Sequence, residues 1–152
     1  MPDATDRRLV DRLLADGRSS MRELGDQIGV SATTVSKRLR ELEANGAING
    51  YQPIVDYDAF GYRVTAIVRL KVDGTEYDSL VRMLCASNQF VTVYEVTGQY
   101  DVVVVGKFTT TEQMDTELKR LLADSSVREA NSSVALNVVR EHEQFPVSRD
   151  GS

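Results

Sequence analysis

Residues 20–46 carry two short helical patterns separated by a tight turn, and this segment constrains the fold more than any other. Ser20 followed by Glu23 is typical of a capping box, in which both side chains satisfy backbone N–H groups at a helix start. The pattern stops at Gly29, a residue that favours the end of a helix. The buried stripe of this helix is predicted to consist of Met21, Leu24 and Ile28.

A second helix is predicted to begin after Ser31, a good N-cap residue, and to end at Asn45 and Gly46. Its inner stripe repeats at helical spacing as Val35, Leu39 and Leu42. The outer face suits the major groove of DNA, because its first turn approaches base edges while cations and N–H groups hold phosphates. The predicted DNA-binding residues are Ser31, Thr33, Thr34, Ser36, Lys37, Arg38 and Arg40. An ordinary solvated helix face is the alternative interpretation.

A further helix is predicted over residues 6–14, so the first 46 residues predict a small three-helix domain. The whole chain has a net charge of −5, whereas residues 31–40 contain Lys37, Arg38, Arg40 and no acid. Any attraction to a polyanion is therefore expected to be local, on the second helix of the pair.

Composition argues against several other classes of protein. Cys85 is the only cysteine and is expected to be buried in an apolar helix, and His142 is the only histidine, which excludes a histidine-based metal site. No paired carboxylates, nucleophile–base pair or glycine-rich phosphate loop indicates an enzyme. Without a long apolar run or a secretory leader, we expect a cytoplasmic protein that does not bind membranes.

The second half of the chain predicts an α+β domain of βαββαβ order, which is a ferredoxin-like fold. Alternating residues indicate strands over 64–72, 90–97, 102–108 and 130–140, and helical spacing indicates helices over 76–87 and 112–123. The predicted divisions are a helix-turn-helix domain at 1–46, an extended linker strand at 47–62, the ferredoxin-like domain at 63–145 and a frayed tail at 146–152.

Residues 102–105 are all valine, so the sheet face without helices is expected to be apolar as well. Burying that face against a second copy predicts a homodimer through the sheets. An ordinary central strand is the equally supported alternative for this segment.

Two motifs together make the chain resemble the leucine-responsive regulatory protein (Lrp/AsnC) family over nearly its whole length. They are ELGDQIGVSATTVSKRLRELEANGAINGY and VTGQYDVVVV, in this order. The resemblance implies a winged-helix-like or helix-turn-helix domain that binds double-stranded DNA, a connecting strand, and a regulatory domain that dimerises and often forms tetramers, octamers or larger rings. It also implies transcriptional control by an amino acid or related small molecule.

The resemblance further implies an effector site where dimers meet, near the turn formed here by Gly98, Gln99, Tyr100 and Asp101. Such residues also simply make turns, which is the alternative interpretation. On the last strand the family frequently has two threonines that line the site. The matching residues here are Ala130 and Ser132, so Ser132 is the remaining hydroxyl and a different effector, or none, stays open.

The leading functional hypothesis is a sequence-specific DNA-binding transcriptional regulator without a cofactor, apart from a possible amino-acid effector. One alternative is an enzyme, because siroheme decarboxylases resemble this family, although a single His142 in an acidic segment does not favour that chemistry. Another is an effector-binding assembly protein that has lost DNA binding, against which the intact set of cations argues.

Overall fold

The computed structural model describes residues 1–148, and the chain divides into two compact units. Unit 1 consists of Met1–Ile54 together with the C-terminal segment from Arg140, and unit 2 consists of Val55–Val139. By this division residues 140–145, which the sequence analysis assigns to the second domain, group with unit 1.

Unit 1 contains three helices, each started by a side-chain cap. They are α1 (Ala4–Ala15), α2 (Met21–Ile28) and α3 (Ala32–Ala44). The predicted capping box at the start of α2 is confirmed, with Ser20 Oγ accepting from the Glu23 N–H at 3.1 Å and Glu23 accepting from the Ser20 N–H at 3.2 Å. An unpredicted second box, between Asp3 and Asp6, starts α1.

One apolar cluster holds these helices together, and it comprises Leu9, Leu24, Ile28, Val35 and Leu39. The predicted inner stripe of α3 is confirmed, but Met21 in the first turn of α2 is 44% exposed rather than buried. Within the described residues no strand follows α3 before unit 2, so this is a helix-turn-helix without a wing.

The connector over residues 47–62 contains no strand, contrary to the prediction. Its regular structure is a short 3₁₀ helix, Tyr57–Phe60, ended by Gly61. A strand requires a hydrogen-bonded neighbour, and the sheet of this chain is made by other segments.

Unit 2 is a four-stranded antiparallel sheet with two helices, as predicted. The elements are β1 (Val64–Val72), α4 (Tyr77–Ala86), β2 (Phe90–Glu95), β3 (Val102–Phe108), α5 (Thr111–Leu122) and β4 (Val127–Val134). The strand order β2-β3-β1-β4 is that of a ferredoxin-like fold, and β2 and β3 form the predicted hairpin with Glu95 opposite Val102. None of the helices within residues 1–148 is long and apolar enough to cross a membrane.

Both helices pack on one face of this sheet. Leu80 and Leu84 of α4 and Met114 and Leu121 of α5 share one buried cluster with alternate residues of β1 and β3. Cys85 follows Leu84 on the outer side of α4 and is exposed, so the prediction of a buried cysteine was wrong.

The opposite face of the sheet, called the open face here, carries both apolar and charged residues. Half-buried Ile67, Val103 and Val105 lie beside Arg69 and the buried Lys107, whose Nζ donates to Thr65 Oγ1 at 2.9 Å. The open face therefore differs from an ordinary solvent-exposed surface, because several of its apolar side chains are only partly buried within one chain.

The last strand is shorter than predicted and begins earlier. Val134 pairs with Ala66 and the Ala135 N–H donates to Thr65 O at 2.9 Å, which brings β4 to the end of its partner strand. Beyond that point Leu136 is 103% exposed. The alternating sequence pattern that predicted a strand to residue 140 therefore runs past the end of β1, where no neighbouring strand is available for pairing.

The C-terminal segment binds α1 within unit 1. Asp11 accepts from the Val147 N–H at 2.6 Å and from the Ser148 N–H at 3.2 Å, while Arg7 Nη1 donates to Val147 O at 2.9 Å. Burial raises the pKa of Asp11, but the hydrogen bonds from Ser148 and Val147 outweigh it and leave that pKa below its ordinary value. The tail predicted to fray at 146–152 is thus bound at these two residues, and residues 149–152 lie outside the described part of the chain.

Candidate DNA interface and effector site

The turn between α2 and α3 is closed by contact between backbones. Gly25 O accepts from the Gly29 N–H at 2.8 Å and from the Val30 N–H at 3.0 Å. A Cβ on Gly25 would lie 2.5 Å from Val30 O, so only glycine fits this close approach. Gly29, at φ +79°, then lets the chain reverse into the cap of α3.

The outer face of α3 presents three exposed side chains in one line. Thr33, Lys37 and Arg40 are spaced four and three residues apart, which places them on the same side of the helix. Within residues 1–148 neither Lys37 nor Arg40 forms an ion pair with a carboxylate, and Arg40 Nε donates a long hydrogen bond to Ser36 O of its own helix at 3.4 Å. We call these three residues the α3 stripe.

Three predicted hydroxyl residues lie at or near the start of the same helix. Ser31 Oγ accepts from the Thr34 N–H at 3.1 Å and lies 2.9 Å from Thr34 Oγ1, so both hydroxyls are used by the cap. Ser36 is half-buried. Ser31 and Thr34 therefore orient the first turn of α3, whose N–H groups point along the helix axis.

Arg38 differs from the prediction of a free cation. Its Nη1 donates to Asp3 Oδ2 at 2.9 Å and to Asp6 Oδ1 at 2.8 Å, and its side chain is 28% exposed. The hydrogen bonds that Arg38 donates to Asp6 and Asp3 raise the pKa of Arg38, and the hydrogen bonds that Asp3 accepts from the Asp6 N–H and from Arg38 lower the pKa of Asp3. Arg38 joins α3 to α1, so of the three predicted cations it is the one bound to carboxylates within residues 1–148.

Sequence reasoning missed the carboxylates that bind Arg38 and the tyrosine that binds the end of α3. The spacing of Asp3 and Asp6 matches that of the capping box at Ser20 and could have been recognised as a second one. Tyr51 Oη donates to Glu43 Oε1 at 2.9 Å, and burial together with Glu43 raises the pKa of Tyr51 to about 12. No local pattern signals that contact.

In unit 2 the turn between β2 and β3 is tied to the neighbouring strands. Gly98 has φ +109° and Gln99 is exposed. Asp101 Oδ2 accepts from the Val72 N–H at 2.8 Å, and Tyr100 Oη donates to Glu129 Oε1 at 3.3 Å. Burial and the charge of Glu129 raise the pKa of Tyr100.

A single chain does not bring Ser132 together with this turn. Ser132 is paired with Val68, which lies four residues, about 13 Å, along β1 from the Val72 N–H that Asp101 binds. Ala130 packs against the core on the helix side, and Ser132 follows it on that side as an exposed residue of the edge strand.

The described part of the chain contains no candidate metal centre. No group of three or more histidine, cysteine or acidic side chains within residues 1–148 is arranged to hold a metal ion. His142, at φ +59°, lies 3.7 Å from the carboxylate of the adjacent Glu141.

Comparisons with known proteins agree with this geometry in both units. The profile of the AsnC-type helix-turn-helix domain matches residues 3–43, and that of the Lrp/AsnC ligand-binding domain matches residues 65–145. An uncharacterised HTH-type transcriptional regulator of Pyrococcus horikoshii is 34% identical over 91% of this chain and 94% of its own length.

Two solved structures from Mycobacterium tuberculosis are similar over most of the chain. The leucine response regulatory protein LrpA has a TM-score of 0.87 at 28% identity, covering 95% of this chain and 99% of its own. A feast or famine regulatory protein complexed with L-methionine has a TM-score of 0.88 at 28% identity, covering 95% and 98%. These relatives are regulators, and they lend no support to the decarboxylase alternative. The chain belongs to the Lrp/AsnC family of transcriptional regulators.

Proposed function

We propose that this regulator contacts DNA through the α3 stripe of Thr33, Lys37 and Arg40. The observation that carries the proposal is the exposure of these side chains along one face of a helix whose opposite face is buried. Thr33 in the first turn is placed to meet base edges, and the two cations further along suit phosphate or guanine contacts.

The remaining predicted residues take supporting roles in this proposal. Ser31 and Thr34 form the hydrogen-bonded cap that orients the first turn of α3, and Ser36 lies next to the stripe. Arg38 is left out of the contact surface because its Nη1 is bound to two carboxylates.

The same proposal includes a dimer that presents two copies of α3 to half-sites about one helical turn (~34 Å) or a multiple apart. The open face supports such a dimer, because Ile67, Val103 and Val105 are only half-buried in one chain. The proposal also includes assembly of dimers into tetramers or octamers. A cytoplasmic location, where such a regulator meets its DNA, is part of it as well.

A salt titration of DNA binding tests the contact surface. The probe is a duplex enriched by in vitro selection with the native protein. Lys37→Ala and Arg40→Ala are each expected to weaken binding, and loss of one phosphate contact should lower the slope of log affinity against log salt by about 1. Lys119→Ala, an exposed cation of α5, is the matched control. Unchanged binding by both α3 variants, or selection that enriches no duplex, would contradict the proposal.

We infer that the effector is an amino acid bound at the β2–β3 turn. The support is the L-methionine complex of a relative of the same fold, together with the turn of residues 98–101 here. Its N–H groups suit a carboxylate, and Asp101 suits an ammonium group. Because Ser132 lies apart from this turn in one chain, the proposed site is completed by a second protomer.

A thermal-shift screen of the twenty amino acids, with L-methionine first, tests the effector. A ligand at one hundred times its Kd should add about 2.7 kcal/mol to the stability of the native state and raise the melting temperature. Asp101→Asn should reduce that rise, whereas Asp115→Asn, an exposed acid on α5, should preserve it. Equal melting temperatures with and without all twenty would argue against an amino-acid effector.

A further inference from the structure

The recognition helix α3 is bonded to the start of α1 through a cluster of three charged residues, Asp3, Asp6 and Arg38, called the clamp here. Arg38 Nη1 lies 2.9 Å from Asp3 Oδ2 and 2.8 Å from Asp6 Oδ1. Each carboxylate uses its other oxygen in the capping box, where the Asp6 N–H donates to Asp3 Oδ1 at 2.8 Å and the Asp3 N–H to Asp6 Oδ2 at 3.0 Å. All four carboxylate oxygens therefore have a defined partner.

The clamp is directional and partly shielded from solvent. The side chains of Asp6 and Arg38 are 15% and 28% exposed, so their charge-assisted hydrogen bond is less screened than one on the open surface. It also holds two neighbouring carboxylates together, which would repel each other without the guanidinium between them.

The apolar contacts of α3 do not fix its rotation with the same precision. Val35 and Leu39 are buried, but hydrophobic contacts are non-directional and tolerate small rotations of a helix about its axis. Arg38 Nη1 instead donates charge-assisted hydrogen bonds to two carboxylates, and because hydrogen bonds are directional this geometry favours one rotation of the helix. Lys37 and Arg38 are neighbours in sequence, so a rotation that displaced Arg38 would also displace the α3 stripe.

We propose that Arg38 is a positioning residue. Through the clamp it fixes the rotation of α3, so that Thr33, Lys37 and Arg40 face the base edges. This inference rests on the proposed function of the α3 stripe. Arg38 acts through the helix, and Asp3 and Asp6 contribute to sequence discrimination although they carry the same charge sign as DNA.

The clamp and simple electrostatics give opposite expectations for one substitution. Removing an acid from a DNA-binding domain ordinarily strengthens binding, because it reduces repulsion from the phosphates. Asp6→Asn removes such an acid, yet it weakens the clamp and should therefore impair specific binding. Asp26→Asn is the matched control, since Asp26 is exposed on α2 and forms no hydrogen bond or ion pair within residues 1–148.

The test compares two affinities for each variant of the full chain, one for the selected duplex and one for a scrambled duplex of equal composition. Circular dichroism first confirms the native helix content at the assay temperature. Asp6→Asn and Arg38→Gln are each expected to lower the ratio of specific to non-specific affinity about tenfold, the size of one lost base contact. The double variant should be no worse than either single one, because all break the same clamp. A purely structural defect would lower both affinities together and leave their ratio unchanged.

Arg38→Lys gives a second measurement on a protein that keeps the positive charge in the clamp. The ratio of specific to non-specific affinity should stay close to the native value if Arg38 positions the helix, and should fall if Arg38 reads a base through two parallel hydrogen bonds. The proposal is overturned if Asp6→Asn matches Asp26→Asn, if the two single effects add, or if folded Arg38→Lys loses discrimination. Normal binding by Lys37→Ala and Arg40→Ala would instead remove the proposed function and this inference with it, so the two failures are distinguishable.

Discussion

Gly25→Ala is the most informative single change in the helix-turn-helix, because it adds one methyl group where two stretches of backbone meet. The new Cβ would lie 2.5 Å from Val30 O, 3.3 Å from Ser31 C and 3.4 Å from Ala32 N. All three neighbours are backbone atoms, so relief requires the chain entering α3 to move and weakens the hydrogen bonds that Gly25 O accepts from Gly29 and Val30.

The expected cost combines two opposing effects. Overpacking of this kind costs about 1–3 kcal/mol, while replacing glycine by alanine inside a helix recovers about 1 kcal/mol. The net loss in the unfolding free energy of unit 1 is therefore about 1 kcal/mol, with an upper value of about 2. For a domain of this size that loss lowers the melting temperature by roughly 4–8 °C per kcal/mol.

Thermal unfolding followed by circular dichroism measures this effect, with Gly17→Ala as the control. At Gly17 the added Cβ would lie 3.7 Å from Leu13 O, an ordinary contact, so its melting temperature should stay near the native value. Gly25→Ala should also reduce specific DNA binding, because the turn sets the start of α3. A Gly25→Ala protein that melts no lower than Gly17→Ala would refute the argument from close approach.

Three further predictions concern unit 1. Leu39→Ala should cost about 2–5 kcal/mol of unfolding free energy, because Leu39 is 3% exposed in the core, and urea unfolding measures it. Tyr51 should ionise near pH 12, which the difference between ultraviolet titrations of native and Tyr51→Phe protein measures. Because folding raises the pKa of Tyr51, its contribution to the free energy of unfolding is present below about pH 10 and is lost as the pH rises through about 12. Asp11→Asn should speed amide hydrogen exchange at residues 147–148, because it weakens the hydrogen bonds to these N–H groups. In the native protein the same contact should weaken as the pH falls through the lowered pKa of Asp11. Protection of these two amides that does not change at low pH would count against the contact.

Local signals in the sequence predicted most of the secondary structure. Ser20 with Glu23 and Gly29 fix the start and end of α2, and Ser31 fixes the start of α3, through contacts within a few residues, so these bounds were predictable. The alternation of β1 and the polar break before Val102 likewise predicted the strands and the hairpin of unit 2.

The parts that could not be predicted depend on contacts between distant residues. Arg38 has the appearance of a surface cation on α3, and only folding brings Asp6, 32 residues away, within 2.8 Å. Leu136 continues the alternation of β4 past the end of β1, and sequence periodicity does not report where a partner strand stops. The separation of Ser132 from the β2–β3 turn likewise follows from strand register.

The binding of Val147 and Ser148 to Asp11 means that unit 1 is built from two segments distant in sequence, and that unit 2 lies between them along the chain. An N-terminal fragment ending at the connector would leave the Asp11 carboxylate and the Arg7 guanidinium without these backbone partners. Changes to Val147 or Ser148 therefore act on the first helix of unit 1, and studies of isolated halves should supply residues 140–148 in trans.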